Sequence, residues 1–152
     1  MHLVRPPADR RPPSPQPPGF IWPVRVYYED TDAAGVVYYA NYLRFCERAR
    51  TEWLREAGFS QQQLLAERGL AFVVRSVNAD YLLPAVLDDA LRVVSRIAHL
   101  GRASIEFNQQ IVRGSERVFE AQVTIACVDW QRRKPAAMTP DLRTQLSRLA
   151  PA

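Results

Sequence analysis

A chain of 152 residues that is 47% hydrophobic suits one compact domain with a core of ordinary size and leaves little room for a second. Its formal net charge of +4 and pI of about 9.4 come from scattered basic residues without a stripe of interleaved aromatics, so no nucleic-acid partner is expected. Cys46 and Cys127 lie far apart with no histidine at ligand spacing, which argues against a disulfide scaffold or a zinc site. No apolar run reaches the length of a signal core or a membrane span, and a cytoplasmic protein is expected.

Residues 1–19 hold seven of the twelve prolines and almost no apolar side chains, a composition that cannot form a core. A disordered tail is expected there, with the domain over 20–152. Trp22, Val24, Val26 and Tyr28 then alternate with Arg25 and Tyr27, the period of a half-buried strand. The turn-forming run from Glu29 to Gly35 breaks this pattern.

From about Tyr39 the apolar spacing becomes Tyr42, Phe45, Cys46, Ala49 and Trp53, one face of a helix, with Glu47, Arg48, Arg50, Glu52 and Arg55 on the remaining positions. Gly58 is placed to end it. Ser60 and Gln63 fit a capping box for a short helix running to about Arg68, before Gly69. Four strand-like runs follow, over 71–82, 91–98, 103–112 and 118–128, with connections short enough for antiparallel neighbours. A last helix is expected from Thr139 as N-cap, with Pro140 in its first turn and Leu142, Leu146 and Leu149 along one face. The fold class is therefore α+β: a long helix followed by an antiparallel meander.

Glu29, Asp30 and Asp32 crowd the loop that leads into the long helix. Taken alone, Asp30 and Asp32 read as turn or cap residues, because aspartate readily accepts backbone hydrogen bonds in such loops.

The run from Tyr28 to Tyr42, YEDTDAAGVVYYANY, resembles the signature of 4-hydroxybenzoyl-CoA thioesterase-like proteins, most closely the Tol-Pal system-associated acyl-CoA thioesterases. The resemblance continues through Glu47–Glu52, Ala71–Arg75, Tyr81–Pro84 and Leu87–Asp89. It implies a hotdog fold, in which an antiparallel sheet wraps the long helix, and a homo-oligomer, dimer or dimer of dimers, with active sites at the subunit interface. It also implies hydrolysis of an acyl-CoA thioester to the free acid and coenzyme A, with no metal or other cofactor. Asp32 matches the family aspartate that attacks the thioester or activates water, and Tyr39 supplies the backbone N–H that holds the carbonyl oxygen. A tyrosine at 39, where many Tol-Pal-associated members carry histidine, suffices for that donor, because an N–H at a helix start needs no side chain to stabilise an oxyanion.

Gly35 would let the loop turn sharply near substrate, with Tyr38 beside it. Phe72 and Val74 are candidates for the acyl pocket, with ordinary core packing as the alternative. Arg102, in a turn after a strand, has the position expected for a coenzyme A phosphate contact, against the alternative of a solvated arginine. His2 and His99 are distant from the loop in sequence. An acyl carrier protein remains a possible partner, and a non-hydrolytic acyl-carrier binding module is the alternative function.

Overall fold

The computed structural model describes residues 19–150, so the tail expected over 1–19 lies outside the described residues but for Gly19. Its strands are β1 (Phe20–Arg25), β2 (Leu70–Tyr81), β3 (Ala90–Leu100), β4 (Ser104–Arg113), β5 (Glu116–Asp129) and the two-residue β6 (Lys134–Pro135). Its helices are α1 (Asn41–Glu56), α2 (Gln61–Arg68) and α3 (Pro140–Leu149). All strands join one antiparallel sheet in the order β1-β3-β4-β5-β2, with β6 added to β5. Among the described residues β2 is paired on one side only.

The alternation in β1 is real: Phe20, Trp22 and Val24 are half-buried, while Ile21, Pro23 and Arg25 are exposed. It does not extend to Tyr28, which sits exposed in a 3₁₀ turn over Tyr28–Asp30. The Val26 N–H still meets Asp89 O in register with β3, and the ladder stops one residue later because the Tyr27 N–H turns to the Asp30 carboxylate.

One face of the sheet packs on α1. Tyr42, Phe45, Cys46, Ala49 and Trp53 are buried, as their spacing requires, against Val93, Ile97, Phe107, Ile111 and Val123. A fully buried side chain of this size contributes about 1.5–3 kcal/mol, so α1 is held by its apolar face. A sheet wrapped on one long helix is the hotdog arrangement that the resemblance implies.

Arg50 departs from the expected solvent face and is only 7% exposed. Its Nη1 donates to Gln109 Oε1 at 2.9 Å, and Gln109 Nε2 donates to Cys46 O at 3.0 Å and Ser95 Oγ at 2.8 Å. Burial lowers the guanidinium's pKa from its ordinary value, and burial pushes the Cys46 thiol up to about 12, so that thiol is no nucleophile at neutral pH.

The Ser60 side chain accepts from the Gln63 N–H, and α2 ends at Gly69 in the left-handed conformation. Thr139 takes the N-cap position of α3, but its side chain does not cap the helix. Two Arg68–Asp141 bonds, of 3.0 and 2.8 Å, tie α2 to α3 instead.

Candidate active site

Thr31 and Val37 form a bridge, and within it the Asp32 N–H donates to Val36 O at 2.9 Å and the Gly35 N–H to Asp32 O at 3.0 Å. The loop is thus a tight hairpin with Asp32 at its first corner. Gly35 closes the turn at φ +81, a conformation L side chains rarely adopt. A Cβ there would meet nothing within 4 Å, so glycine serves the turn and not a close packing contact.

The two aspartates divide. Asp30 is 3% exposed: its Oδ2 accepts from the Tyr27 N–H and its Oδ1 from Asn41 Nδ2, both at 2.9 Å. It is the structural residue that a loop aspartate was expected to be. Asp32 is exposed; its Oδ1 accepts from the Ala34 N–H at 2.9 Å, which orients the carboxylate, and among the described residues Oδ2 has no partner.

Tyr38 and Tyr39 lie in the turn before α1, which starts at Asn41 and not at Tyr39. The Tyr38 N–H donates to Asp30 O, and the Asn41 N–H to Tyr38 O, each at 2.8 Å. Among the described residues the N–H groups of Tyr39 and Ala40 donate to no acceptor. A helix start exposes such donors at the positive end of the macrodipole, so the entry to α1 can receive a developing negative charge. The hairpin that carries Asp32 and the turn that carries Tyr39 are therefore continuous through Val36 and Val37.

That short connection is braced from the loop between β2 and β3. The Val37 N–H donates to Ala85 O at 2.8 Å, Val36 bridges Val86, and the Ala85 N–H donates to the Tyr42 hydroxyl at 3.1 Å. Arg113 Nη1 in turn holds this loop, bonding Asp89 Oδ2 at 2.8 Å and Pro84 O at 3.1 Å. Burial would raise the Asp89 pKa, but the Val86 N–H and the Arg113 guanidinium together bring it below its ordinary value. Tyr42, Tyr81, Asp89 and Arg113 went unassigned at sequence level. The signal for Tyr81 and Asp89 was that the resemblance extends beyond the acidic loop to Tyr81–Pro84 and Leu87–Asp89.

A cleft of roughly 260 Å³ runs beside α1, lined by Leu43, Glu47, Arg50, Val74, Val77 and Val123. Leu43 lies in the first turn of α1, the turn that Tyr39 and Ala40 lead into, so the cleft starts near the open N–H groups. Val74 lines it, whereas Phe72 is partly buried against the core, its structural alternative. Arg102 is exposed in the turn after β3, at the opposite end of that strand from the bracing loop. Eleven strand residues at about 3.3 Å each separate them, roughly 36 Å, so one chain does not bring Arg102 to Asp32. His99 lies inside β3, opposite Glu106, at the same far end. Among the described residues no cluster of three metal-ligating side chains occurs, and no helix is long and apolar enough to cross a membrane.

A model of the thioesterase-like superfamily matches residues 26–146. The chain is 48% identical over 131 residues to acyl-CoA thioesterase YbgC of Haemophilus influenzae, covering 86% of this chain and 96% of that protein. It is 52% identical over 120 residues to acyl-CoA thioester hydrolase YbgC of Escherichia coli O6:H1, covering 78% and 89%. The solved structure of a probable thioesterase from Bartonella henselae superposes with a TM-score of 0.75 at 37% identity, covering 78% of this chain and 98% of that one.

Proposed function

From the premise that this chain belongs to the thioesterase-like superfamily and hydrolyses acyl-CoA thioesters, we propose that Asp32 performs the chemical step and that the Tyr39 N–H holds the thioester oxygen. The observation that supports this reading is that one continuous segment carries an exposed, oriented carboxylate in its hairpin and an open N–H in the turn that enters α1. The donor favours the charge that builds on the carbonyl oxygen as the carbon becomes tetrahedral, and a backbone group held by a helix needs no reorganisation to do so.

Two routes use the same atoms. In one, an Asp32 oxygen adds to the carbonyl carbon, the C–S bond breaks, coenzyme A leaves as its thiolate, and water then cleaves the mixed anhydride to the acid. In the other, Asp32 takes a proton from a water that adds directly, and the same C–S bond breaks. Single-turnover hydrolysis in ¹⁸O-water gives a one-way diagnosis: label in the Asp32 carboxylate with unlabelled product acid arises only when water opens an anhydride at the aspartyl carbonyl, and never when Asp32 acts as general base.

Around this centre Gly35 and Tyr38 border the thioester, and the cleft with Val74 takes the acyl group. Completion of the site by a second copy is part of the proposal. β2 is a long edge strand with Val73, Val74 and Val77 exposed, and such an edge is a template for strand pairing. Antiparallel pairing of two β2 strands would carry the start of one, with Phe72, towards the end of the other, and in this reading Arg102 meets the coenzyme bound at the second copy's site. A dimer or dimer of dimers, a cytoplasmic location, Tol-Pal association and an acyl carrier protein as partner belong to the same proposal, supported by the resemblance of the acidic loop. The test is Asp32→Asn, for which kcat should fall by about 10²- to 10⁴-fold with folding retained; near-normal turnover removes Asp32 from the mechanism.

A further inference from the structure

The two peptide groups that lead into α1 share a pattern. The carbonyl of the peptide joining Tyr38 to Tyr39 already accepts a bond from the Asn41 N–H, and its own N–H, that of Tyr39, is open. The next peptide repeats this one residue on: the Tyr39 carbonyl accepts from the Tyr81 hydroxyl at 2.9 Å, and its N–H, that of Ala40, is open. Ala40 has helical dihedrals of φ −73 and ψ −21, so this second N–H points out of the start of α1.

Hydrogen bonding to a peptide carbonyl polarises that peptide and strengthens its N–H as a donor. The bond to Tyr39 O also fixes the plane of the peptide. Tyr81 is well placed to do this because its ring, though about half exposed, packs edge-on against Tyr42 at 5.5 Å and Phe119 at 5.1 Å between centroids. Burial, followed by its neighbours Tyr39, Tyr42 and Cys46, raises the hydroxyl's pKa above its ordinary value, so it remains a donor across the neutral range.

We propose that Tyr81 is a positioning residue for thioester hydrolysis, holding the peptide between Tyr39 and Ala40 so that the Ala40 N–H serves with the Tyr39 N–H as a second donor to the thioester oxygen. This rests on the reading of Tyr39 as oxyanion donor, but not on Asp32. A tetrahedral oxyanion has lone pairs for two donors, and two adjacent amides stabilise the transition state more than the planar thioester.

The experiment combines kinetics with infrared spectroscopy of a bound coenzyme A ketone, in which a methylene replaces the thioester sulfur so that nothing is hydrolysed. Tyr81→Phe keeps the ring contacts and removes only the hydroxyl. It should lower kcat about tenfold with KM within twofold, and shift the bound ketone's carbonyl stretch towards its free-solution frequency. Replacing the Ala40 amide by an ester, through lactate at position 40, deletes the N–H itself and should shift the stretch in the same direction with a larger loss of kcat. A role confined to packing would leave the stretch unmoved in both variants, and an unchanged frequency or an unchanged kcat overturns the proposal. The ketone readout does not involve the carboxylate. Failure of Asp32→Asn to slow turnover therefore bears on Asp32 alone, whereas a wild-type carbonyl stretch equal to the free-solution value removes the donor reading of Tyr39 itself.

Discussion

Asp30 and Asn41 lie eleven residues apart and are joined by a buried 2.9 Å bond from Asn41 Nδ2 to Asp30 Oδ1, which ties the start of the acidic loop to the first residue of α1. Because Asp30 also accepts the Tyr27 N–H, its removal strands two donors at once. Asp30→Ala should therefore cost about 3 kcal/mol of stability, at the scale of hydrogen bonds to a buried charged group. Asp32→Asn, at an exposed side chain, should shift the urea midpoint hardly at all. Equal midpoints for the two variants would contradict this division of labour between neighbouring acids.

The same division shows what the sequence could and could not disclose. Local signals carried far: the spacing of Phe45, Cys46, Ala49 and Trp53 fixes which side of α1 meets the sheet, and the bond from the Gln63 N–H to Ser60 supplies the N-cap half of the expected capping box. The boundaries of β2 to β5 fell within a residue or two because Gly69, Gly101 and Gly114 flank them, whereas β1 ends three residues short of Tyr28 and β6 carries no strand signal of its own. Contacts between distant residues were not legible. Which of two acids turns inward depends on bonds to Tyr27 and Asn41, and Arg50 is buried because Gln109 reaches it from 59 positions away. Arg102 looked close to the site in family terms. Only the length of β3 reveals that it occupies the opposite end of the sheet.

The Arg50–Gln109 pair gives a second stability test. Gln109 is 1% exposed and joins Arg50, Cys46 O and Ser95 between helix and sheet. Gln109→Ala would leave the buried Arg50 cation without the Gln109 acceptor and the Cys46 carbonyl without the Gln109 donor, and should lower stability by about 3–5 kcal/mol. Gln109→Glu keeps the acceptor and supplies a counter-charge to Arg50. It should be distinctly milder in a denaturant titration, and the reverse order would show that volume, not polarity, dominates this site.

Asp89 sets a pH dependence with a defined sign. Its pKa in the folded chain lies below the ordinary 3.8, despite burial, because the Val86 N–H and Arg113 favour the carboxylate. The folded state thus binds the proton more weakly than the unfolded chain, and the stabilisation is complete above pH 3.8 and lost as pH falls through the lower folded value. Asp89→Asn should be less stable than wild type at pH 6, with the gap narrowing as the pH approaches 3. Since Asp89 and Arg113 brace the loop under Val37, the variant should also lose kcat at pH values where it remains fully folded. A constant gap in stability between pH 6 and 3 would exclude this linkage.

The edge position of β2 makes the oligomeric proposal testable without reference to catalysis. Val74 is 53% exposed on a strand twelve residues long, a degree of apolar exposure that an edge strand normally avoids by carrying charge. A lysine introduced there would stay solvated in a monomer at almost no cost, but would be trapped against apolar surface if two β2 strands pair. Val74→Lys should therefore leave monomer folding intact while reducing the mass seen by light scattering to that of a single 17.3 kDa chain. Dilution of the wild-type protein should lower the mass in the same way at concentrations where the association breaks. A Val74→Lys variant that remains fully associated would show that the copies do not join through β2 pairing.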